Sequence, residues 1–162
     1  METSLSSLVL GAAPFLLGIA LKSLLDLQIA PWIIKGLNIF PPRSIFRDNP
    51  PKLKGEWDVY WKSDSEKFSN EQDRHKTAKI YQFGTYCFAE YAAKDQRYCL
   101  FGKIERSFIT GTWYNKKDRY GYQGAFQLKI LDSRKLEGRW LGYSNTKNTI
   151  NTDLYTWTKN PE

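Results

Sequence analysis

A chain of 162 residues has room for one globular domain plus a modest extra element, and an all-β domain of ~100 to 120 residues buries a working core at that size. Two cysteines and a single histidine exclude a His/Cys cluster with metal-ligand spacing. The formal charge of +7 lies entirely in residues 41 to 162, since Lys22 and Lys35 balance Glu2 and Asp26 before that point; such a basic domain favours an anionic partner, although an excess of this size is also an ordinary aid to solubility.

The chain begins apolar. Leu5 to Leu25 reads LSSLVLGAAPFLLGIALKSLL, which as a helix rises roughly 31 Å, close to the hydrocarbon thickness of a bilayer. Its one charge, Lys22, sits near the end, where a long side chain reaches the headgroups. Pro14 and Gly18 fit a membrane helix better than a soluble one. A cleaved signal peptide is the rival, but no Lys or Arg precedes the run and no small-x-small cleavage site follows it. A retained anchor is therefore expected.

A second apolar segment, residues 27 to 40, is short for a span and contains Lys35. Ile29, Trp32, Ile33, Leu37 and Phe40 fall near helical spacing, so it reads as an interfacial helix or as the second arm of a membrane hairpin. Residues 41 to 52, PPRSIFRDNPPK, form a stiff linker. Arg43, Arg47, Lys52 and Lys54 follow the apolar block and nothing basic precedes it, so the positive-inside tendency puts the rest of the chain in the cytoplasm with one span or two. The expected location is a membrane, with the C-terminal domain facing the cytoplasm.

From Leu53 the hydrophobic period changes to two. Leu53, Gly55, Trp57, Val59 and Trp61 alternate with Lys54, Glu56, Asp58, Tyr60 and Lys62, the pattern of a half-buried strand. Strands are expected near residues 53 to 62, 78 to 84, 86 to 91, 97 to 104, 108 to 114, 122 to 130, 135 to 143 and 153 to 159, with turns at Ala92 to Asp95, Asn115 to Asp118 and Leu131 to Arg134. The fold class is all-β: an eight-stranded antiparallel up-and-down, lipocalin-like barrel over residues 53 to 162, preceded by the membrane region 1 to 40. An aliphatic-x-Gly-x-Trp phrase recurs at Leu53, Ile109 and Leu136, and DLYTW from Asp153 is a weaker copy. Gly and Trp two apart share one face of a strand, so the phrase bends a strand and fills the space beside it. Core packing is thus the first expectation for Trp57, Trp113, Trp140 and Trp157.

Catalysis has little to stand on. His75 lies in a polar run, no nucleophile motif or Gly-rich phosphate loop is present, and no enzyme is expected. Cys87 and Cys99 fall nearly opposite each other if the hairpin between them turns at about residue 93; a cross-strand disulfide is then geometrically possible, but the cytoplasmic side favours free thiols.

An apolar N-terminal block, a Pro and Arg linker, GEW opening the barrel, GTW and GRW in later strands and a last strand ending in TWTK together resemble the two-transmembrane β-barrel effectors of bacterial anti-phage signalling, the STING-like barrels that sense cyclic oligonucleotides. The short, Lys35-containing second segment departs from the family's two spans. The resemblance implies an antiviral defence effector whose cytoplasmic barrel binds a cyclic di- or trinucleotide made by a partner nucleotide cyclase or polymerase. Bound barrels then assemble as homo-oligomers, and their membrane segments disrupt the inner membrane. It implies no cofactor beyond that regulatory ligand, no metal and no nucleic acid polymer as partner.

Such a ligand requires cations for its phosphates and flat faces for its bases. The residues matched to that need are Arg97 and Arg139, with Lys79 behind them, for phosphate, and Tyr81, Tyr98, Trp113 and Tyr143 for stacking; the polar run Ser144 to Thr152 is matched to base edges. Strand parity supplies a plain counter-reading. Arg139 and Tyr143 point outward if Trp140 points in, Arg97 alternates with Tyr98, and Tyr98 and Trp113 share the apolar face. Two other function classes stay open: a lipocalin-like tethered barrel holding an apolar ligand, and a non-enzymatic membrane protein that binds a protein partner. Whether ligand triggers assembly or holds the effector silent is a population shift of either sign.

Overall fold

The computed structural model describes residues 29–39, 50–63, 68–118, 121–144 and 148–161. The chain divides into two compact units, Met1–Ile33 and Ile34–Glu162. The apolar run 5 to 25 and linker residues 41 to 49 lie outside the described residues. Among the described residues no helix is long and apolar enough to cross a membrane.

Residues 50 to 161 form eight strands: β1 (Gly55–Trp61), β2 (His75–Phe83), β3 (Tyr86–Ala93), β4 (Gln96–Glu105), β5 (Phe108–Asn115), β6 (Gln123–Ile130), β7 (Lys135–Ser144) and β8 (Thr149–Lys159). Each pairs antiparallel with the next, and β1 closes on β8 with Val59 opposite Trp157, giving a closed barrel in simple chain order. Closure is what the eight alternating segments required, because it leaves no strand edge unpaired.

The alternation sorts residues as expected. Trp57, Val59, Ile80, Leu100, Ile109, Phe126, Leu128, Leu136 and Trp157 are all buried in one core cluster. Trp57 is wholly buried, and its Nε1 donates to the Leu53 carbonyl at 2.7 Å, so the indole carries no unmet donor into the core. Trp113 and Trp157 are also buried; Trp140 is half-buried and packs edge-on to Trp113 at 6.3 Å between centroids.

The Gly-x-Trp phrase works differently from its reading in sequence. Trp113 does not fill space left by Gly111; it lies over Gly124 and Gly142, its partners across β6 and β7. Gly111 and Gly138 serve backbone approach instead. A Cβ on Gly111 would sit 2.0 Å from the Phe101 carbonyl oxygen, and one on Gly138 would sit 1.9 Å from that of Gln127. Adjacent strands come that close only where side chains are missing.

Two strand starts shift by three residues or more, and one register differs from expectation. Strand β2 begins at His75 rather than 78 and β8 at Thr149 rather than 153, where no apolar side chain is buried in the core. Within the run Ser144 to Thr152, Ser144 and residues 149 to 152 are in the ladder, with Ser144 opposite Thr149 and Leu141 opposite Thr152. The β3–β4 hairpin turns at Lys94 and Asp95, so Cys87 faces Gly102 and Cys99 faces Glu90. The register is three residues from the one that would oppose the cysteines. That odd shift puts Cys87 inside the barrel and Cys99 outside, and both thiols are free.

Helix α1 (Ala30–Leu37) occupies part of the second apolar segment, with eight residues rising only ~12 Å. The residue it buries is Ile34, while Trp32 and Ile33 are exposed. Ile34 joins a second apolar cluster on the outer wall of β2 to β5, with Phe88 and Cys99 at its centre and Tyr81, Phe83, Phe101 and Tyr114 around them.

Candidate functional site

The interior is filled. At the end where β1 finishes and β4 begins, Trp61, Phe68, Tyr91, Tyr98, Trp113, Tyr122, Trp140 and Tyr155 leave a cavity of about 40 Å³, and a second cavity deeper in the barrel measures about 20 Å³. Each holds a few waters at most, against the ~300 Å³ or more of an ordinary ligand pocket. Burial raises the hydroxyls of Tyr91, Tyr98, Tyr122 and Tyr155 above the usual phenol range, so they hold their protons further into alkaline pH than a free phenol. Tyr98 donates to Gln96 Oε1 at 2.8 Å, and the Tyr155 and Tyr91 hydroxyls lie 3.4 Å apart.

The larger concavity is outside. A groove of about 320 Å³ runs over the outer wall of β1 to β4, lined by Glu56, Thr77, Lys79, Tyr81, Glu90, Tyr91, Ala92 and Arg97, with Ala78 at its floor. Strand register builds it. Lys79 stands opposite Glu90 and Ala92 opposite Arg97, and alanine at 92 leaves the space between longer neighbours. Lys79 Nζ lies 5.7 Å from the Tyr81 ring centroid, inside cation–π range. Beside the groove, Lys35 Nζ donates to Glu90 Oε1 at 2.9 Å, which neutralises one of the two carboxylates.

The seven residues matched to a nucleotide fall in three places. Lys79, Tyr81 and Arg97 meet in the outer groove. Tyr98 and Trp113 line the packed interior mouth, where Trp113 Nε1 donates to the Leu141 carbonyl at 2.9 Å. Arg139 and Tyr143 stand on the outside of β7, across the barrel from the groove; Tyr143 is 48 % exposed and its hydroxyl donates to Asn148 Oδ1. The structure thus brings three of them together and separates the other four.

Sequence reasoning missed Lys35, Glu56, Thr77, Glu90 and Ala92. Parity alone puts Lys79 and Tyr81 on one face, but the cross-strand neighbours follow only from register. His75 is exposed and stacks on Tyr60 at 4.5 Å between ring centroids, as a surface pair. Among the described residues no group of His, Cys, Asp and Glu is arranged to hold a metal ion. The groove offers two cations, two carboxylates, a flat phenol and a threonine hydroxyl.

The chain matches no family model, no curated protein and no solved structure.

Proposed function

We propose that this chain is a membrane-anchored, non-enzymatic anti-phage effector whose barrel binds a cyclic di- or trinucleotide in the outer groove. The observation that carries the reading is the convergence of Lys79, Tyr81 and Arg97, chosen from sequence for phosphate and base, in one groove of about 320 Å³. Ammonium and guanidinium groups suit phosphodiester oxygens, and a tyrosine ring suits a base. The basic excess of residues 41 to 162 favours approach of the anion, and the apolar run from Leu5 to Leu25 supplies the anchor.

An apolar ligand inside the barrel is disfavoured by cavities of about 40 and 20 Å³. A protein-binding role has one feature in its favour. Leu141, Tyr143 and Ile150 are exposed at 44, 48 and 69 %, with Tyr143 and Ile150 paired across β7 and β8. In the effector reading that patch serves contact between copies.

The test is a melting-temperature and calorimetry screen of the full-length protein in detergent against cyclic di- and trinucleotides, with linear dinucleotides and fatty acids as controls. A cyclic nucleotide alone should stabilise the barrel; stabilisation by fatty acids alone would sink the reading. The membrane half is tested separately by Leu16→Arg, which costs on the order of 3 kcal/mol of insertion at mid-helix and should abolish toxicity while sparing ligand binding.

A further inference from the structure

Lys35, the charge that interrupts the second apolar segment, has a partner on the barrel. Its ammonium donates to Glu90 at 2.9 Å and sits 4.9 Å from the Phe88 ring centroid and 5.3 Å from that of Tyr81. The residues around it are held too. Ile34 is buried against Phe88 and Cys99. Asn38 Oδ1 accepts from the Gln82 backbone N–H at 3.1 Å, and the Asn38 carbonyl accepts from Lys54 Nζ at 3.2 Å. Residues 34 to 38 are therefore docked on the outer wall by one apolar, one ionic and two hydrogen-bonded contacts.

Two of the residues that receive Lys35 also line the groove: Tyr81 and Glu90 belong to both, whereas no residue from 34 to 38 lines it. The docked segment lies beside the groove and does not fill it. We propose that Lys35 is a shared cation that couples anion binding in the groove to docking of residues 34 to 38, each strengthening the other; the identity of the anion as a nucleotide phosphate rests on the functional reading above.

The sign follows from the charges. Lys35 and Lys79 flank the Tyr81 ring and Arg97 lines the same groove, against Glu56 and Glu90, a small cationic surplus. A phosphodiester entering the groove adds negative charge close to Glu90, which deepens the well that holds the Lys35 ammonium. Reciprocity requires that the docked Lys35 in turn raises the anion's affinity. Occupancy thus holds residues 34 to 38 on the outer wall.

A native reporter exists for this. Cys99 is buried under Ile34 on the outer wall, while Cys87 is enclosed within the barrel. Undocking exposes Cys99 to a water-soluble maleimide, and Cys87 serves as the internal control for barrel integrity. In the full-length protein in detergent, Lys35→Ala should speed Cys99 labelling roughly three- to tenfold, Lys35→Arg should restore it, and Cys87 labelling should not change. Inorganic pyrophosphate and the cyclic nucleotide panel should slow Cys99 labelling in the wild type and not in Lys35→Ala.

Equal Cys99 rates in wild type and Lys35→Ala would show that Lys35 does not hold the segment, and the proposal falls. Pyrophosphate and nucleotides that leave the wild-type rate unchanged, or raise it, would overturn the coupling. The two readings fail separately. Slowing by pyrophosphate with no nucleotide stabilising the barrel removes the nucleotide reading and keeps the shared cation; stabilisation by a nucleotide at unchanged labelling does the reverse.

Discussion

The indole of Trp113 takes the place of a side chain at Gly142: a Cβ added there would lie 2.6 Å from its Cζ2. The same ring covers Gly124, where a Cβ would meet the Leu141 carbonyl oxygen at 1.9 Å as well as the indole at 2.6 Å. Gly142→Ala should cost about 1 to 3 kcal/mol, the range of an overpacked core. Gly124→Ala should cost more, because a strand carbonyl has less freedom to move than a ring. Urea unfolding of both variants checks the order; equal stabilities would mean that the Leu141 carbonyl yields as readily as the ring.

Turn strain offers a gain. Arg106 opens the β4–β5 turn at φ 56, a left-handed conformation that disfavours a side chain. Arg106→Gly should stabilise the barrel by up to about 1 kcal/mol, less the extra freedom glycine brings to the unfolded chain. Lys94 has the same geometry at φ 53, but its ammonium pairs with Asp73 at 3.2 Å and lies 5.6 Å from the Phe68 ring centroid. Lys94→Gly should therefore gain less than Arg106→Gly, and thermal melts of the two compare them directly.

Buried thiols give the barrel an alkaline limit. Burial pushes Cys87 from its ordinary 9.0 up to about 12. Between those values the unfolded chain has released a proton that the folded barrel retains, so stability is complete below pH 9 and falls as pH rises toward 12. The slope for this one group is about 1.4 kcal/mol per pH unit. Cys99 shifts in the same direction, again chiefly by burial. Unfolding free energies from pH 8 to 11 should decline, and Cys87→Ala should shallow the decline whatever it does to stability at pH 8.

Position in the barrel separates the residues matched to phosphate. Lys79→Ala and Arg97→Ala should each weaken binding of the cyclic nucleotide roughly tenfold to a hundredfold, the worth of a charged hydrogen bond. Arg139→Ala, across the barrel, should leave affinity unchanged. Added salt should weaken binding to the wild type more than to Lys79→Ala, since the variant has less charge to screen. Calorimetry at two ionic strengths reads both effects, and a loss at Arg139 equal to that at Arg97 would move the site to β7.

Much of the barrel was readable from local pattern. Alternation from Leu53 onward sets each stretch to one strand with one greasy face, and Gly, Asn and Asp mark the turns; these properties need no knowledge of the partner strand. The expected strands, their order and the buried Trp57, Trp113 and Trp157 follow from them. Strand ends such as His75 to Thr77 and Thr149 to Thr152, which bury no apolar side chain, gave no such signal, because a ladder of backbone hydrogen bonds holds whatever side chains it carries.

Register belonged to the tertiary structure. The β3–β4 turn lies slightly beyond the expected residue, and that displacement alone decides that Cys87 and Cys99 stand on opposite sides of the wall. The same pairing brings Arg97 to Ala92 and Lys79 to Glu90, making a groove from residues spread over β1 to β4, while Arg139 and Tyr143, chemically as suitable, are carried to the far side. Lys35 is the extreme case. In sequence it is a charge that spoils an apolar segment; only the folded barrel brings Glu90, 55 positions later, to its ammonium. Periodicity is a property of neighbours along the chain, whereas a site is made by neighbours across it, and those are chosen by turn length, ladder register and closure acting together.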